Sequence, residues 1–445
     1  MPSSRADSFD AIVVGSGPGG ATVARELSRM GKRVLILERG HDRTIRGTAA
    51  QLIGYLLVPG KGLLFTNQLL ALGRGIITGG SSMAAYATAF DPPLDKFRSY
   101  GIDLSAELAE AKKELPIAPL QDRLVGPLAR RIMESARELG YDWKKLDKIV
   151  YQDKCLPRCD KCTMGCPHGA KWDARMSVED AVQHGAVLTA NARVRKVLTQ
   201  NRTAVGVEYV SKGRTRSVQA PTIVVSAGGI GSPLILRKSG LPGAGRDFFF
   251  DPLISVMGTV KDIKGGEEFP MVAGVRLEDE GTIMTDLPWP GWIYRMFSAE
   301  VLRLDRLFYH SHTLPIMIKL RDGLGGRLTD HGFVMKELPK SEKRKFRDGY
   351  ERAKAILTKA GARHIFRTWY LATHPGGTAK INDLVDSNLK TEYENLYVCD
   401  CSVIPFSWGL PPMLTLICLG KRLAKHLTGQ KTGGRVVKNP FVHDI

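Results

Sequence analysis

The sequence predicts an α/β protein that contains a doubly wound, Rossmann-like parallel sheet. Three observations predict it: a glycine-rich turn between a short apolar strand and a helix, a second strand that ends in an acidic residue, and a length that exceeds one core. The chain has 445 residues, whereas a single hydrophobic core stops growing at about 250–300 residues. A second domain is therefore expected beside the sheet.

The first strand, turn and helix lie in DAIVVGSGPGGATVARELSRMGKRVLILERG, residues 10–40. AIVV is a short apolar run that is typical of a buried parallel strand. Gly15, Gly17 and Gly20 then fit G-x-G-x-x-G, and helical spacing of apolar residues continues to Gly31. Such a turn lets a pyrophosphate approach the backbone at the helix N-terminus. Glu38, after the second strand, is placed to accept hydrogen bonds from an adenosine ribose, so the segment predicts FAD or NAD.

Charge and cysteine content restrict the partners and the compartment. The net charge of +19 predicts attraction to an acidic protein, a membrane surface or nucleic acid. The densest basic run, residues 338–354, is interleaved with acids, and the sequence has no nucleic-acid-binding signature, so no nucleic-acid partner is expected. Because the seven cysteines are odd in number and no signal-peptide core or long apolar run is found, we predict a cytoplasmic protein, with peripheral contact to a membrane as a further expectation.

Four further segments carry a resemblance to a known family. They are GRGIITGGSSMAAYATAF (73–90), APTIVVSAGGIGSPLILRKSG (220–240), THPGGT (373–378) and NLYVCDCSVIPFSWGLPPMLTLICLGKRLAKHL (395–427). In this order, after the first turn, they resemble the glucose–methanol–choline (GMC) oxidoreductases, which are FAD enzymes. The chain is identified as a divergent, short member with a four-cysteine loop.

The resemblance implies that the doubly wound domain binds FAD and is assembled from discontinuous segments, beside a smaller α+β substrate domain. Whether the FAD is covalent stays open. The predicted boundaries are 1–95, 150–243 and 367–431 for the FAD-binding domain, 96–149 and 244–366 for the substrate domain, and 432–445 for a C-terminal tail.

The resemblance also implies the residues of the site. His374, in HPGGT, matches the family's active-site histidine near flavin N5, where an imidazole can take a hydroxyl proton while hydride leaves the carbon. Taken alone, a histidine beside Pro-Gly-Gly is more often a surface turn residue, and the HPGGT context is what favours the catalytic interpretation. By position, the candidate cofactor-binding residues are Gly15, Gly17, Pro18, Gly19, Gly20, Glu38, Arg39, Gly79, Gly80, Ser81, Val194, Ala227, Gly228, Asp400 and Pro412.

Two departures from the family's pattern bear on the reaction. Pro411 stands where members usually carry His or Asn, and Ala84-Ala85 replaces an asparagine common after the GGSS turn. Both losses remove groups that hold an alcoholate or a reduced flavin anion, which puts ordinary alcohol oxidation with O2 in doubt and favours an apolar small-molecule substrate. We predict hydride transfer between an alcohol-like or lipid-like substrate and flavin N5. The alternatives are a reductase of an activated C=C bond and a non-catalytic flavin electron-transfer subunit of a larger complex.

A cysteine-rich loop, KCLPRCDKCTMGCPHGAK, contains Cys155, Cys159, Cys162 and Cys166. The last three and the following proline match a ferredoxin-type run, which predicts a [4Fe–4S] cluster, and zinc or unligated thiols are the alternatives. A cluster would relay electrons between the flavin and an electron-carrier protein or quinone, which favours a hetero-oligomer.

One strongly apolar segment, residues 49–72, is broken by Pro-Gly-Lys-Gly. It is compatible with a pair of core helices. The resemblance implies instead a lid near the cofactor, and an apolar lid would suit a lipid-like substrate.

Overall fold

The computed structural model describes residues 8–434, which form one parallel sheet, one large and mostly antiparallel sheet, three smaller sheets and the helices that pack against them. The strands are β1 (Ala11–Val14), β2 (Val34–Leu37), β3 (Leu63–Phe65), β4 (Ala71–Gly73), β5 (Ile117–Pro119), β6 (Lys144–Lys145), β7 (Asp147–Ile149), β8 (Val187–Thr189), β9 (Ala192–Gln200), β10 (Thr203–Ser211), β11 (Arg214–Gln219), β12 (Ile223–Val225), β13 (Arg246–Phe248), β14 (Pro252–Thr259), β15 (Ala273–Leu277), β16 (Thr282–Asp286), β17 (Thr313–Leu320), β18 (Gly325–Leu328), β19 (Val334–Met335), β20 (Arg363–Arg367), β21 (Leu371–Ala372) and β22 (Leu396–Val398). The α-helices are α1 (Pro18–Arg29), α2 (Ala49–Leu52), α3 (Leu94–Ser99), α4 (Ser105–Glu114), α5 (Pro127–Glu138), α6 (Ala174–Gln183), α7 (Gly228–Lys238), α8 (Gly291–Glu300), α9 (Lys340–Lys359) and α10 (Met413–Leu427). The three smaller sheets have the orders β11-β10-β9, β13-β18-β19 and β5-β7.

The parallel sheet has the spatial order β22-β12-β1-β2-β8, and all its neighbours run parallel. Every residue of β1, β2 and β12 is buried, as expected for apolar parallel strands whose two faces are both covered. α1 packs against β1 and β2, and strands β9 and β10 of a separate antiparallel sheet contact β2 and β12. The strand order reverses direction at β1, which opens a crevice at the carboxyl ends of the strands. The predicted α/β class, with a doubly wound sheet built from distant segments, is confirmed.

Close approach of α1 to this sheet depends on one glycine. A Cβ at Gly20 would lie 2.3 Å from the carbonyl oxygen of Gly15 and 3.1 Å from the Val13 side chain. The third glycine of the pattern therefore serves helix–strand packing, and α10 packs against the same helix.

The second sheet has the order β3-β4-β21-β14-β17-β16-β15-β6, with β20 also paired to β14. Side chains along β17 alternate between its two faces. Ile316, Ile318 and Leu320 pack in a core with residues of α5 and α9. Met317 and Lys319 line a cavity on the other face. One face of this sheet is thus covered by helices, and the opposite face is left for the site.

The apolar segment 49–72 is not the pair of core helices that was one interpretation of its sequence. A π-helical turn, Ile53–Leu57, follows the single turn of α2, and β3 and β4 then form a hairpin. Proline and glycine at 59–62 end the helix, since proline cannot supply a helical N–H. Leu56 lines the cavity, which agrees with the alternative that the segment covers the site.

Two segments pack across the domain boundaries that the sequence predicts. α4, in the segment assigned to the substrate domain, contacts α10 and shares the core around the parallel sheet. Conversely, β3 and β4 join the second sheet. The boundaries themselves stay a prediction, and most of the predicted tail from residue 432 lies outside the described residues. Within residues 8–434, no helix combines the length and apolarity that crossing a membrane requires.

Candidate active site

A cavity of about 670 Å³ is lined by residues of both sheets. On the side of the parallel sheet, its lining includes the residues that follow four strands: Gly15 after β1, Glu38 after β2, Ser226 after β12 and Asp400 after β22. Ligands of doubly wound sheets bind at the carboxyl ends of the strands, where the strand order reverses. The cavity occupies this position.

The first glycine-rich turn gives the cavity a wall of backbone atoms. A Cβ at Gly15 would lie 2.3 Å from the carbonyl oxygen of Ser226, and one at Gly19 would lie 2.1 Å from that of Cys399. In contrast, a Cβ at Gly17 would meet nothing within 4 Å, so the space in front of it is open. α1 begins here without a side-chain cap. An open space at an uncapped helix N-terminus fits an anionic group such as a diphosphate.

The second glycine-rich turn touches the first. The backbone N–H of Gly79 donates to the Ser16 hydroxyl at 3.0 Å, and this hydroxyl donates to Glu38 at 2.6 Å. Gly79 and Gly80 have φ angles of 92° and 59°, which glycine adopts without a steric penalty. The two turns are thereby joined, and Gly80 and Ser81 line the cavity between them.

Two buried carboxylates flank the turns. Glu38 accepts hydrogen bonds from the backbone N–H and hydroxyl of Ser16 and from the N–H of Gly40. Asp400 accepts from the Ser232 hydroxyl and the Gly228 N–H. Burial raises the pKa of both acids, and these hydrogen bonds oppose the shift. Carboxylate oxygens have lone pairs left for the hydroxyl groups of a ribose or a ribityl chain.

Four arginines, Arg39, Arg74, Arg193 and Arg195, line the cavity. Burial and the neighbouring Arg193 charge lower the pKa of Arg39. Burial and the charges of Arg39 and Arg193 lower the pKa of Arg74 to about 10. Because these cations repel one another, a bound anion would stabilise the cluster.

Most of the predicted cofactor residues come together at this cavity. Those that line it are Gly15, Gly17, Pro18, Gly19, Glu38, Arg39, Gly80, Ser81, Val194, Ala227, Gly228, Asp400 and Pro412. Gly20 and Gly79 are not in the lining and act through the packing and turn geometry described above. The open space at Gly17, the arginine cluster and the two acids fit the diphosphate and the hydroxyl groups of FAD, and these residues would hold it.

His374 lines the same cavity on the side of the second sheet, two residues after β21. Its φ angle of 50° lies in the left-handed region, which is strained for a residue other than glycine. Its Nδ1 lies 3.2 Å from a carboxylate oxygen of Asp251, and its side chain is 27% exposed. Since Nδ1 is engaged by a carboxylate, Nε2 is the ring nitrogen left for another partner.

Two buried charged residues beside His374 are not among the site residues predicted from the sequence. The Nζ of Lys319 lies 3.5 Å from His374 Nδ1 and 3.6 Å from Asp251 Oδ2. The other oxygen of Asp251 accepts the backbone N–H of Gly409 at 2.8 Å. One signal could have found the lysine: it interrupts the apolar strand TLPIMIKL, and a buried lysine requires polar partners. No comparable local signal marks Asp251.

Burial determines the charge of this group of three. It raises the pKa of Asp251 to about 7, although Lys319 opposes the shift. It lowers the pKa of Lys319, which the Asp251 carboxylate opposes. Burial, and then the Lys319 charge, lower the pKa of His374 well below its ordinary value. The imidazole is therefore neutral at pH 7 and able to accept a proton.

Apolar side chains form the rest of the wall near His374. Leu253, Met271, Leu287 and Met317 make one buried cluster, and Trp289 packs against it. All five line the cavity. A substrate held between them would lose its contact with water over most of its surface.

The predicted metal centre is not supported by the described residues. Cys155 and Cys162 are buried, and Cys159 and Cys166 are half-buried. Burial raises the pKa of Cys155 to about 11 and also raises that of Cys162. Within residues 8–434, no group of three or more His, Cys, Asp or Glu side chains is placed to hold a metal ion.

The cysteine loop instead has a visible structural connection to the site. Lys171 is fully buried, and its Nζ donates to four backbone carbonyl oxygens, those of Ser82, Met83, Ala85 and Cys162, at 2.7–3.2 Å. These bonds fasten the loop to the second glycine-rich turn. Thr163, in the loop, lines the cavity. The loop therefore forms part of the wall of the candidate site.

Comparisons with known proteins agree with this arrangement. Models of the GMC oxidoreductase family match residues 9–255 and 311–420. A GMC-type oxidoreductase of Mycobacterium tuberculosis is 27% identical over 96% of this chain and 77% of the relative. A long-chain-alcohol oxidase of Arabidopsis thaliana is 23% identical over 95% of this chain and 67% of the relative. The structure of pyridoxine 4-oxidase from Mesorbium loti has a TM-score of 0.74 at 16% identity and covers 95% of this chain and 100% of its own.

The fold and the cavity define a dinucleotide-binding oxidoreductase with its site between two sheets. The chain belongs to the GMC oxidoreductase family of FAD-dependent enzymes, as the family models cover most of its length. The resemblance stated from the sequence is thereby confirmed, including the short length of this member.

Proposed function

We propose that this protein oxidises apolar alcohols, with FAD as the hydride acceptor and His374 as the base. The observation that carries the proposal is the position of His374, which lines one cavity together with the glycine-rich turns that would hold the cofactor. When bound, FAD supplies an acceptor for the hydride from the carbon that bears the hydroxyl group.

The residues of the chain would act on the proton and on the orientation of the substrate. His374, neutral at pH 7, accepts the hydroxyl proton as the carbonyl forms. Asp251 engages Nδ1, so Nε2 is the nitrogen that takes the proton. The apolar wall of Leu253, Met317 and Trp289 excludes water from the reacting carbon.

The apolar wall also supports the class of substrate. Apart from His374 and Lys319, the cavity beside the second sheet is bounded mainly by aliphatic, methionine and tryptophan side chains. An alkyl chain gains about 0.8 kcal/mol for each methylene buried there. The relatives include long-chain-alcohol oxidases of Arabidopsis thaliana, which agrees with a substrate of this kind.

The electron relay predicted from the cysteine spacing does not enter the proposal. Within the described part of the chain, the cysteine loop offers no set of three ligands for a metal. Hydride transfer and proton transfer require only the cofactor and the residues of the cavity.

Anaerobic reduction by alcohols tests the function. The purified protein, loaded with FAD if necessary, is mixed with ethanol, octanol or dodecanol, and the visible absorption of the oxidised flavin is followed. We expect octanol and dodecanol to bleach it, and ethanol to do so much more slowly, because ethanol buries little apolar surface. A protein that stays colourless after FAD is added, or a flavin that no alcohol reduces, would contradict the proposal.

A further inference from the structure

Lys319 is a charged residue of the cavity that the family resemblance does not assign. Resting on the proposed function, we propose that its ammonium group is a second catalytic residue, which stabilises the negative charge that hydride transfer creates beside His374. This negative charge arises on two groups, the oxygen of the alcohol as it loses its proton and the flavin as it is reduced. Sulfite binding and octanol oxidation distinguish them.

The register of the second sheet directs Lys319 to the site. In β17, Lys319 and Met317 lie two residues apart and share the face that lines the cavity. In the neighbouring strand β14, Leu253 stands directly opposite Lys319 and also lines the cavity. The lysine is thus surrounded by apolar wall residues and is only 1% exposed. A charge in such an apolar setting acts more strongly on its neighbours than one in water.

Three other buried lysines of the described chain are held differently, and a fourth, Lys421, is held by the carboxylates of Glu26 and Glu114. Lys171 donates to four backbone carbonyl oxygens. Lys148 donates to two carbonyl oxygens and to the hydroxyl of Thr88. Lys336 donates to three carbonyl oxygens and pairs with Asp322. These three ammonium groups are occupied by the protein itself, as a buried cation must be in a structural role.

Lys319 makes no such bonds to carbonyl oxygens within residues 8–434. Its contacts are Asp251 Oδ2 at 3.6 Å and His374 Nδ1 at 3.5 Å, both longer than a strong charged hydrogen bond. An ammonium group has three N–H donors. The lysine therefore has donor capacity left, on a side chain that lines the cavity.

Asp251 is a positioning residue for this cation. Its Oδ2 faces both Lys319 and His374, and its Oδ1 accepts the N–H of Gly409. Gly409 begins the turn in which Pro411 replaces the polar residue usual in the family. The carboxylate thus connects the turn that lacks a polar side chain to the strand that carries the lysine.

The reaction explains why a cation is useful here. The C–H bond breaks, and its electron pair passes with the hydrogen, as hydride, to the flavin. The hydroxyl proton passes to His374, and the carbon–oxygen bond becomes a carbonyl. The flavin gains one negative charge, and the alcohol oxygen bears part of that charge while its proton leaves. Pro411 has no donor, whereas the ammonium group of Lys319 lies 3.5 Å from His374 Nδ1, which places it to stabilise this charge in the way that preorganised donors do.

Sulfite binding tests, without any alcohol, whether Lys319 stabilises negative charge on the flavin. The sulfur lone pair of sulfite forms an N–S bond to the bound flavin, and the ring takes the negative charge, so the visible absorption falls. We compare the wild type with Lys319→Met, with Lys319→Gln as a second uncharged variant, and with Lys319→Arg, which keeps the charge. Sulfite affinity is expected to fall by about tenfold or more in the uncharged variants, since one charge interaction of about 1.4 kcal/mol is a factor of ten. The Arg variant should stay close to the wild type.

Oxidation of octanol tests whether Lys319 stabilises negative charge on the alcohol oxygen. If sulfite affinity is unchanged in Lys319→Met but the rate of anaerobic reduction by octanol falls, the cation acts on the alcohol oxygen. If both fall, it acts on the flavin. Unchanged sulfite affinity together with unchanged octanol reduction, in a variant that still binds FAD, would overturn the inference and leave the proposed function intact.

Lys336→Met is the matched control. Lys336 is also a buried lysine with an acidic partner, but it does not line the cavity. We expect it to lower stability without changing sulfite affinity. A sulfite affinity that falls equally in the Lys319 and Lys336 variants would mean that general loosening is responsible, and would contradict the special role of Lys319.

Discussion

The two ends of the cavity are lined by different kinds of chemical group. At the end formed by the parallel sheet, the glycine-rich turns, the N-terminus of α1 and hydrogen-bonded acids form much of the surface, and a Cβ at Gly15 or Gly19 would clash with a backbone carbonyl oxygen. At the His374 end, the surface consists of side chains, with Asp251 and Lys319 buried among apolar residues. Substitutions that add atoms should therefore impair the first end, and substitutions that remove a charge should impair the second.

The largest effect is expected from adding one methyl group at the glycine end. In Gly19→Ala, the new Cβ would lie 2.1 Å from the carbonyl oxygen of Cys399. Neither backbone segment can move without displacing α1 from the parallel sheet, so we expect loss of bound FAD. The ratio of visible to ultraviolet absorption after purification measures it.

Gly325→Ala is the control for this variant. A Cβ at Gly325 would meet nothing within 4 Å, and this glycine does not line the cavity. Normal FAD content in Gly19→Ala would show that the glycine wall is not needed.

The next largest effect is expected where the second glycine-rich turn meets the cysteine loop. Lys171→Met leaves four buried carbonyl oxygens without their donor, and each unsatisfied group costs about 1–3 kcal/mol before relaxation. We expect the free energy of unfolding, measured in urea, to fall by about 3 kcal/mol.

Lys154→Met, in the same loop but exposed, should change the free energy of unfolding by less than about 0.5 kcal/mol. Equal effects of the two substitutions would mean that the buried ammonium group does not fasten the loop.

The smallest effect concerns the acid at the His374 end and depends on pH. Burial raises the pKa of Asp251 to about 7, so the folded protein holds this proton more tightly than the unfolded chain. The stability from this group is present below about pH 4, the pKa of the unfolded chain, and is lost as pH rises to about 7. The Asp251→Asn variant has no carboxyl group at this position, so it does not lose this stability as the pH rises.

The stability of Asp251→Asn relative to the wild type should therefore rise by more than about 1 kcal/mol between pH 4.5 and pH 8, as one pKa unit corresponds to 1.36 kcal/mol. Urea titrations at the two pH values measure it. A difference that is constant or that falls with pH would contradict the assignment of a buried acid with a raised pKa.

The two ends of the cavity also differ in how far the sequence predicts them. The strand, turn, helix and acid of residues 11–38 are contiguous, and each has a local pattern, so both the fold class and the glycine-lined wall could be predicted. The His374 end is assembled across the chain: His374 lies 55 residues from Lys319 and 123 residues from Asp251. The pairings of β14 with β17 and of β14 with β21 bring these residues together, and neither register has a short-range signal.

Two further sequence interpretations show what local patterns do not contain. Cysteine spacing predicts ligands but does not fix the directions of the side chains, and the described loop holds no metal site. The apolar composition of residues 49–72 does not distinguish buried helices from a hairpin that covers a cavity. Turn residues at 59–62 were the better guide, because they end the helix after the π-helical turn.

The central claim is that His374 takes the proton from a substrate oxidised by FAD in this cavity. The most direct test compares anaerobic reduction of the bound flavin by octanol in the wild type and in His374→Ala, with His331→Ala, an exposed histidine, as control. We predict that the His374 variant keeps its flavin and its spectrum but is reduced about 10²–10⁴-fold more slowly, while the His331 variant reacts like the wild type. Equal rates in all three proteins, with flavin bound in each, would contradict the claim.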